Sequence, residues 1–415
     1  MKKNFLIFML TGALLGACSS NDVETSYEQE LRQNKEVPVM FGTYIGNAAE
    51  TRANQTGVLD ITALQTANEG FGVFAIYTND KNLATDTGKK PNFMYNEHVT
   101  WNSGTSVWTY SPVKYWPNEF GANAVSTATD YLSFFAYAPW CGVDDTNNEW
   151  DKTSDVNAAG IVKLTTKTES TKYPSVTYRI ANDPAKSVDL LYAKVEDATK
   201  PLVAFDNDAS KVQFTFNHAL ARFGLKVQGV FDSTDPTTDP GAKASETNIK
   251  LEGVEVTIKD ANKQGDFDLK NQTWGSLSTA EDYVITVGSD AIAADLKSEE
   301  TTKGVTATAT DVLASGKYFM LIPQSKKLSV KVTYTVTTTD AAVDGGKASV
   351  QNVITKETAS NITFEKGKAY SLNLLLGMRT VQMNITAVNN WVEDPGNPVT
   401  DLTPVWVPVN VTPTP

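Results

Sequence analysis

Apolar side chains recur at every second position over many short stretches of this chain, and turn-forming residues separate the stretches. Phe71 to Tyr77, Tyr131 to Tyr137, Val212 to Phe216, Val254 to Ile258 and Leu328 to Val336 all follow this rhythm. They are rich in β-branched and aromatic residues and are bounded by Asn, Asp, Gly and Pro. A period of two with such boundaries predicts antiparallel strands with one face packed and one wet. The best helical window, Ile61 to Asn68, is about two turns long. The fold class is therefore all-β, built from sandwich or barrel-like sheets.

The same pattern appears near both ends. Val37, Val39, Phe41 and Ile45 fall on one face of an early strand, and Val405, Val407, Val409 and Val411 fall on one face of a late one. The late strand follows Asp394-Pro395-Gly396-Asn397-Pro398, which turns the chain away from what precedes it. Pro404 and Pro408 occupy its alternate phase and disfavour a central position in a sheet. Burying four valines is worth roughly 6 to 12 kcal/mol before ordering costs, enough to dock such a strand elsewhere. An edge strand of its own domain remains the other reading of residues 404 to 411. Between the early strand and the body, Glu50-Thr51-Arg52-Ala53-Asn54 is polar, the kind of place proteases nick. A cut after Arg52 would discard everything before it, the first strand included.

The beginning of the chain specifies a compartment. Lys2 and Lys3 precede the apolar run Phe5 to Leu10, and Leu15-Gly16-Ala17 leads into Cys18. This is a secretory signal, too short for a membrane helix, with a cysteine placed where a bacterial lipoprotein takes its lipid. Residues 19–36 read as a polar tether. With Cys18 acylated, Cys141 has no partner, so a packed core rather than disulfides must hold the protein together. A length of 415 residues leaves room for about two domains. A boundary is expected between an aromatic-rich half and a Val/Thr-rich half. The expected segments are a signal at 1–18, tether and first strand at 19–52, domains at 53–204 and 205–394, and the late strand at 395–415.

Charge and chemistry narrow the function. A net charge of −12 argues against nucleic acid and against adsorption to an anionic bilayer, so membrane contact should run through the lipid. His98 and His218 are the only histidines, and neither has a second ligand at metal spacing. His218 reads as a core-edge residue satisfied by a backbone carbonyl. No nucleophile elbow, phosphate loop or dinucleotide fingerprint occurs. Asp144-Asp145 and Glu299-Glu300 lie in polar loops with no glycosidase framework around them. The acidic loops Gly142 to Asp155 and Asp232 to Gly241 read as hairpin tips rather than calcium loops. No catalytic, cofactor or metal site is expected. Trp101, Trp108, Trp116, Trp140 and Trp150 read as packing residues ahead of a sugar platform.

Several pieces, in order, resemble the fimbrillin family of type V pilins and their Mfa-like relatives. They are the lipoprotein signal, Thr51-Arg52-Ala53, Tyr115-Trp116-Pro117, Leu132 to Pro139, Asp189 to Ala193, Phe216 to Arg222, Gly265 to Leu269, Phe319 to Gln324 and Phe364 to Tyr370. The resemblance implies two transthyretin-like β-sandwich domains in tandem with an extended C-terminal donor strand. It also implies an outer-membrane lipoprotein precursor, an arginine-specific protease acting at Arg52 and Ala53, and a neighbouring pilin subunit whose donor strand fills the vacated groove. Partners would then be other pilin subunits, that protease, and a host or bacterial surface ligand touched by the fimbria. The alternative is a monomeric surface lipoprotein that binds glycan or host ligand through its aromatic N-terminal domain.

Overall fold

The structure, a computed structural model, describes residues 37–388 apart from internal stretches, the longest being 46–58, 118–129, 200–210 and 232–246. Among the described residues the chain is all-β with one short helix. Its first part comprises β1 (Phe41–Ile45), α1 (Ile61–Leu64), β2 (Phe71–Thr78), β3 (Met94–Asn102), β4 (Val107–Thr109), β5 (Tyr131–Ala138), β6 (Gly160–Leu164), β7 (Ser175–Arg179), β8 (Leu191–Ala198) and β9 (Val212–His218). A seven-stranded sheet runs β1-β9-β8-β5-β2-β3-β4. Alternation decides which face each side chain takes. Phe71, Val73, Ala75, Leu132, Phe134 and Ala136 join one core, while Phe74, Ile76, Phe135 and Tyr137 point into another on the opposite face. Both faces are thus covered, and β2 and β5 are buried almost throughout. Gly72 is needed at the middle of this sheet, because a Cβ there would come within 2.2 Å of the Tyr137 ring.

The second part continues with β10 (Ala221–Phe231), β11 (Thr247–Ala261), β12 (Gln264–Asp268), β13 (Thr273–Gly275), β14 (Glu281–Gly288), β15 (Asp295–Lys297), β16 (Gly304–Val305) and β17 (Thr310–Asp311). It ends with β18 (Phe319–Leu321), β19 (Gln324–Lys326), β20 (Leu328–Thr339), β21 (Lys347–Glu357), β22 (Ile362–Phe364), β23 (Ala369–Leu376) and β24 (Val381–Val388). One sheet is ordered β14-β11-β20-β21 with β15 added to β11, and another is ordered β16-β10-β23-β24 with β17 and β18 added to β10. Their inward residues, Val254, Val256, Ile258, Val330, Val332, Leu372 and Leu374 among them, share one core.

Pairing crosses the 204/205 position. β9 lies in the first sheet between β1 and β8, and β12 and β13 extend β7 and β6 into a four-stranded sheet. Side chains knit the same junction. The Lys194 ammonium donates to the Lys270 carbonyl at 2.8 Å, and the Tyr283 hydroxyl donates to the Ala181 carbonyl. The core that lies behind β2 and β5 is accordingly continuous with that of the second part.

Candidate functional site

The early strand occupies a seat with two walls. On one side β1 runs parallel to β9, from Phe41 opposite Val212 to Ile45 opposite Phe216, and the Val212 amide donates to the Met40 carbonyl at 2.8 Å. On the other side residues 37–39 meet residues 114–116. The Val39 amide donates to the Lys114 carbonyl and the Trp116 amide to the Val37 carbonyl, each at 2.8 Å. Two aromatic side chains tie the same strand to β4 and the turn after it. The Trp108 indole donates to the Thr43 hydroxyl at 2.8 Å, and the Tyr110 hydroxyl donates to the Val39 carbonyl at 2.9 Å. Burial pushes the Tyr110 phenol up to about 12, so it stays a donor at any physiological pH.

Alternation places Val37, Val39 and Phe41 inward, at 5%, 1% and 2% exposure. The Phe41 ring stacks on Phe214 at 5.5 Å, stands edge-on to Phe134 at 5.9 Å and Phe71 at 6.2 Å, and tilts against Tyr110 at 5.5 Å. These are favoured aromatic geometries. At about 1.5–3 kcal/mol for each buried side chain, the three anchors contribute roughly 5–9 kcal/mol before ordering costs. Because β1 is the terminal strand of its sheet, withdrawing it would break no other ladder of that sheet.

β1 is thus a deeply packed edge strand, and residues 51–391, which follow it, match the family model described as fimbrillin-like. The chain belongs to the fimbrillin-like family. It is 24% identical over 424 residues to the fimbrium subunit Fim1C of Phocaeicola vulgatus, covering 94% of this chain and 97% of that protein. The solved structure of a fimbrial protein from Bacteroides vulgatus is similar in fold, with a TM-score of 0.57 and 21% identity over 85% of this chain and 98% of the other.

The remaining expected positions of this fimbrillin-like chain fall in different places. Cys18, Arg52, Ala53 and the strand Val405, Val407, Val409 and Val411 lie outside the described residues, as does the Ile45 side chain. The segment that carries Arg52 is held at both ends. Ile45 ends β1, and the Leu59 amide donates to the buried Asp189 carboxylate at 3.1 Å. That carboxylate also meets His218 Nδ1 at 2.7 Å. His218 thus has a carboxylate partner 29 residues away, a pairing that strand alternation alone does not reveal. His98 stacks flat on Trp140 at 3.7 Å. Cys141 is a free thiol, which burial pushes up to about 12.

Packing accounts for the tryptophans. Trp108 and Trp116 are buried in the core that holds Phe41, with Trp101 beside them, and Trp140 and Trp150 lean on the core behind the sheet. No cluster of His, Cys, Asp and Glu fit to hold a metal occurs among the described residues. Sequence reasoning read Trp108 as a packing residue but did not single out Tyr110 or Phe214 as walls of the seat, nor Asp189 as an anchor. Only position in a known family's pattern could have pointed to them.

Proposed function

We propose that this fimbrillin-like chain is a structural, non-catalytic subunit of a cell-surface fimbria that supports adhesion, assembled by protease-triggered strand exchange. In this reading it reaches the outer membrane as a lipoprotein acylated on Cys18. Its body consists of tandem transthyretin-like sandwiches. An arginine-specific protease cuts between Arg52 and Ala53, the lipid and first strand leave, and the Val405 to Val411 strand of a neighbouring subunit enters the seat. Main-chain ladder bonds supply affinity and alternate side-chain pockets supply specificity, as in other strand-addition complexes.

The observation that carries the reading is the position of β1. Val37, Val39 and Phe41 are buried in the core, yet the strand that Phe41 opens is a sheet edge, joined to the body through the segment that contains Arg52. Only an edge strand can be exchanged without dismantling the sheet. The deciding experiment identifies the first residue of the protein recovered from the cell surface. Ala53 is expected in the polymer. Acylated Cys18 on polymerised subunits would overturn the proposal.

A further inference from the structure

We infer that residues 407–411 of a second copy seat in the register of residues 37–41. Val407-Pro408-Val409 would take the places of Val37-Pro38-Val39, and Val411 that of Phe41. The inference rests on the strand-exchange reading and adds a register to it. Both segments run Val-Pro-Val, one further residue, then an apolar side chain.

The seat itself explains why proline is admitted at the second place. The ladder bonds to the 114–116 wall come from the Val37 carbonyl and the Val39 amide, and residue 38 gives neither, although Pro38 is the bridge partner of Tyr115. A proline on that phase costs no hydrogen bond there, whereas in an ordinary central strand it removes one. Pro408 therefore suits this seat rather than arguing against pairing. A shift of one residue would turn Trp406, Pro408 and Asn410 into the core and is excluded by phase. The competing register is a shift of two. It would set Trp406 against Tyr115 and put Val409 in the place of Phe41.

The two registers differ at one pocket. Phe41 fills a space walled by Phe214, Phe134, Phe71 and Tyr110, and a valine leaves part of it empty. An aromatic side chain at position 411 should therefore tighten binding, while one at 409 should clash in the narrower place occupied by Val39.

The test uses the full-length, unlipidated Cys18→Ser chain, cut after Arg52 and then mixed with synthetic peptides of residues 403–415. Release of the fragment that carries residues 37–45 is followed by mass spectrometry. The Val411→Phe peptide is expected to release it at about tenfold lower concentration than the unmodified peptide, and the Val409→Phe peptide only at higher concentration. In parallel, Tyr115→Cys is introduced into the chain. Residues 38 and 115 form a non-hydrogen-bonded antiparallel pair, a class with Cα atoms about 4.5 Å apart, within disulfide reach. Pro38→Cys with Tyr115→Cys in the uncut chain should cross-link and serves as the control. The Pro408→Cys peptide should then cross-link to Tyr115→Cys, and the Trp406→Cys peptide should not. Cross-linking through Trp406→Cys, or tighter binding by Val409→Phe, would overturn the register and leave strand exchange standing. Peptides that neither release the fragment nor cross-link would overturn both.

Discussion

The two halves of the molecule close their cores in opposite ways. Around Phe41 the core is aromatic, with Phe71, Phe134, Phe214, Phe216, Trp108 and Trp116 in contact, and its boundary is completed by a five-residue edge strand. Around Val332 it is largely aliphatic. There β20 lies between β11 and β21, paired over eleven positions on each side. β1 is the terminal strand of its sheet, so its withdrawal would break no other ladder there, while removing β20 would split β21 from β11. Parallel pairing, slightly weaker per residue than antiparallel, is used for β1 and β9 and is absent from the β11-β20-β21 ladder. On the strand-exchange reading proposed above, a replaceable closure and a permanent one would sit within one chain, with the polar Arg52 segment next to the replaceable one in sequence.

The largest effect that would break this comparison is on assembly. Deleting residues 404–415 should abolish polymers, and Val407→Asp or Val409→Asp should do nearly as much, since each would bury an unpaired charge. Arg52→Ala should leave a folded monomer that does not polymerise. Electron microscopy and the melting temperature of the monomer check these outcomes together. A large loss of melting temperature in the truncated monomer would place residues 404–411 in their own domain, and wild-type polymerisation of Arg52→Ala would end the release step.

Next comes the core of the uncut protein. Phe41→Ala should cost about 3–5 kcal/mol and Val332→Ala somewhat less, because the first removes a whole ring and leaves a larger cavity. Hydrogen exchange distinguishes them. Phe41→Ala should speed exchange in β9 and β4 while sparing β20 and β21. Equal loss of protection in both regions would show that the halves do not close separately.

The Asp189 anchor is the third test, because it joins the end of the Arg52 segment to β9. His218→Ala removes one partner of a buried carboxylate and should destabilise by about 3 kcal/mol, while Asp189→Asn, which keeps a hydrogen-bonding side chain, should cost less. Urea midpoints measured on both variants check the order.

Much of this was legible because a strand announces its own face. The alternation at Phe71 to Tyr77, Tyr131 to Tyr137 and Val212 to Phe216 located β2, β5 and β9, and the phase of Val37, Val39 and Phe41 matches their burial. Partner choice was not legible. Nothing local in Gln264 to Asp268 says that it will extend β7, some 85 residues earlier, rather than its neighbour β11. The same holds for His218, whose carboxylate partner lies on a separate stretch of chain. Periodicity reports one surface of one segment, and tertiary pairing is a property of two.

The smallest effect sharpens the comparison without disturbing it. Cys141 is free and packs against the core behind the first sheet, where its backbone amide donates to the buried Tyr137 hydroxyl at 3.2 Å. Burial favours its neutral thiol and pushes it up to about 12, well above the ordinary thiol value near 8.5, so almost no thiolate forms in the folded protein at pH 8. In the Cys18→Ser chain a thiol reagent should therefore react slowly until the first half opens, and quickly afterwards. The sign with pH follows from the same shift. The folded state holds this proton more tightly than the unfolded one, so the thiol's contribution to stability is full below about pH 8.5 and is lost as pH rises toward about 12. Raising urea at pH 8 should unmask the thiol before β20 loses its amide protection if the two closures are independent, and at the same midpoint if they are one cooperative unit. Rapid labelling of the folded chain in the absence of urea would show that Cys141 is not shielded as described.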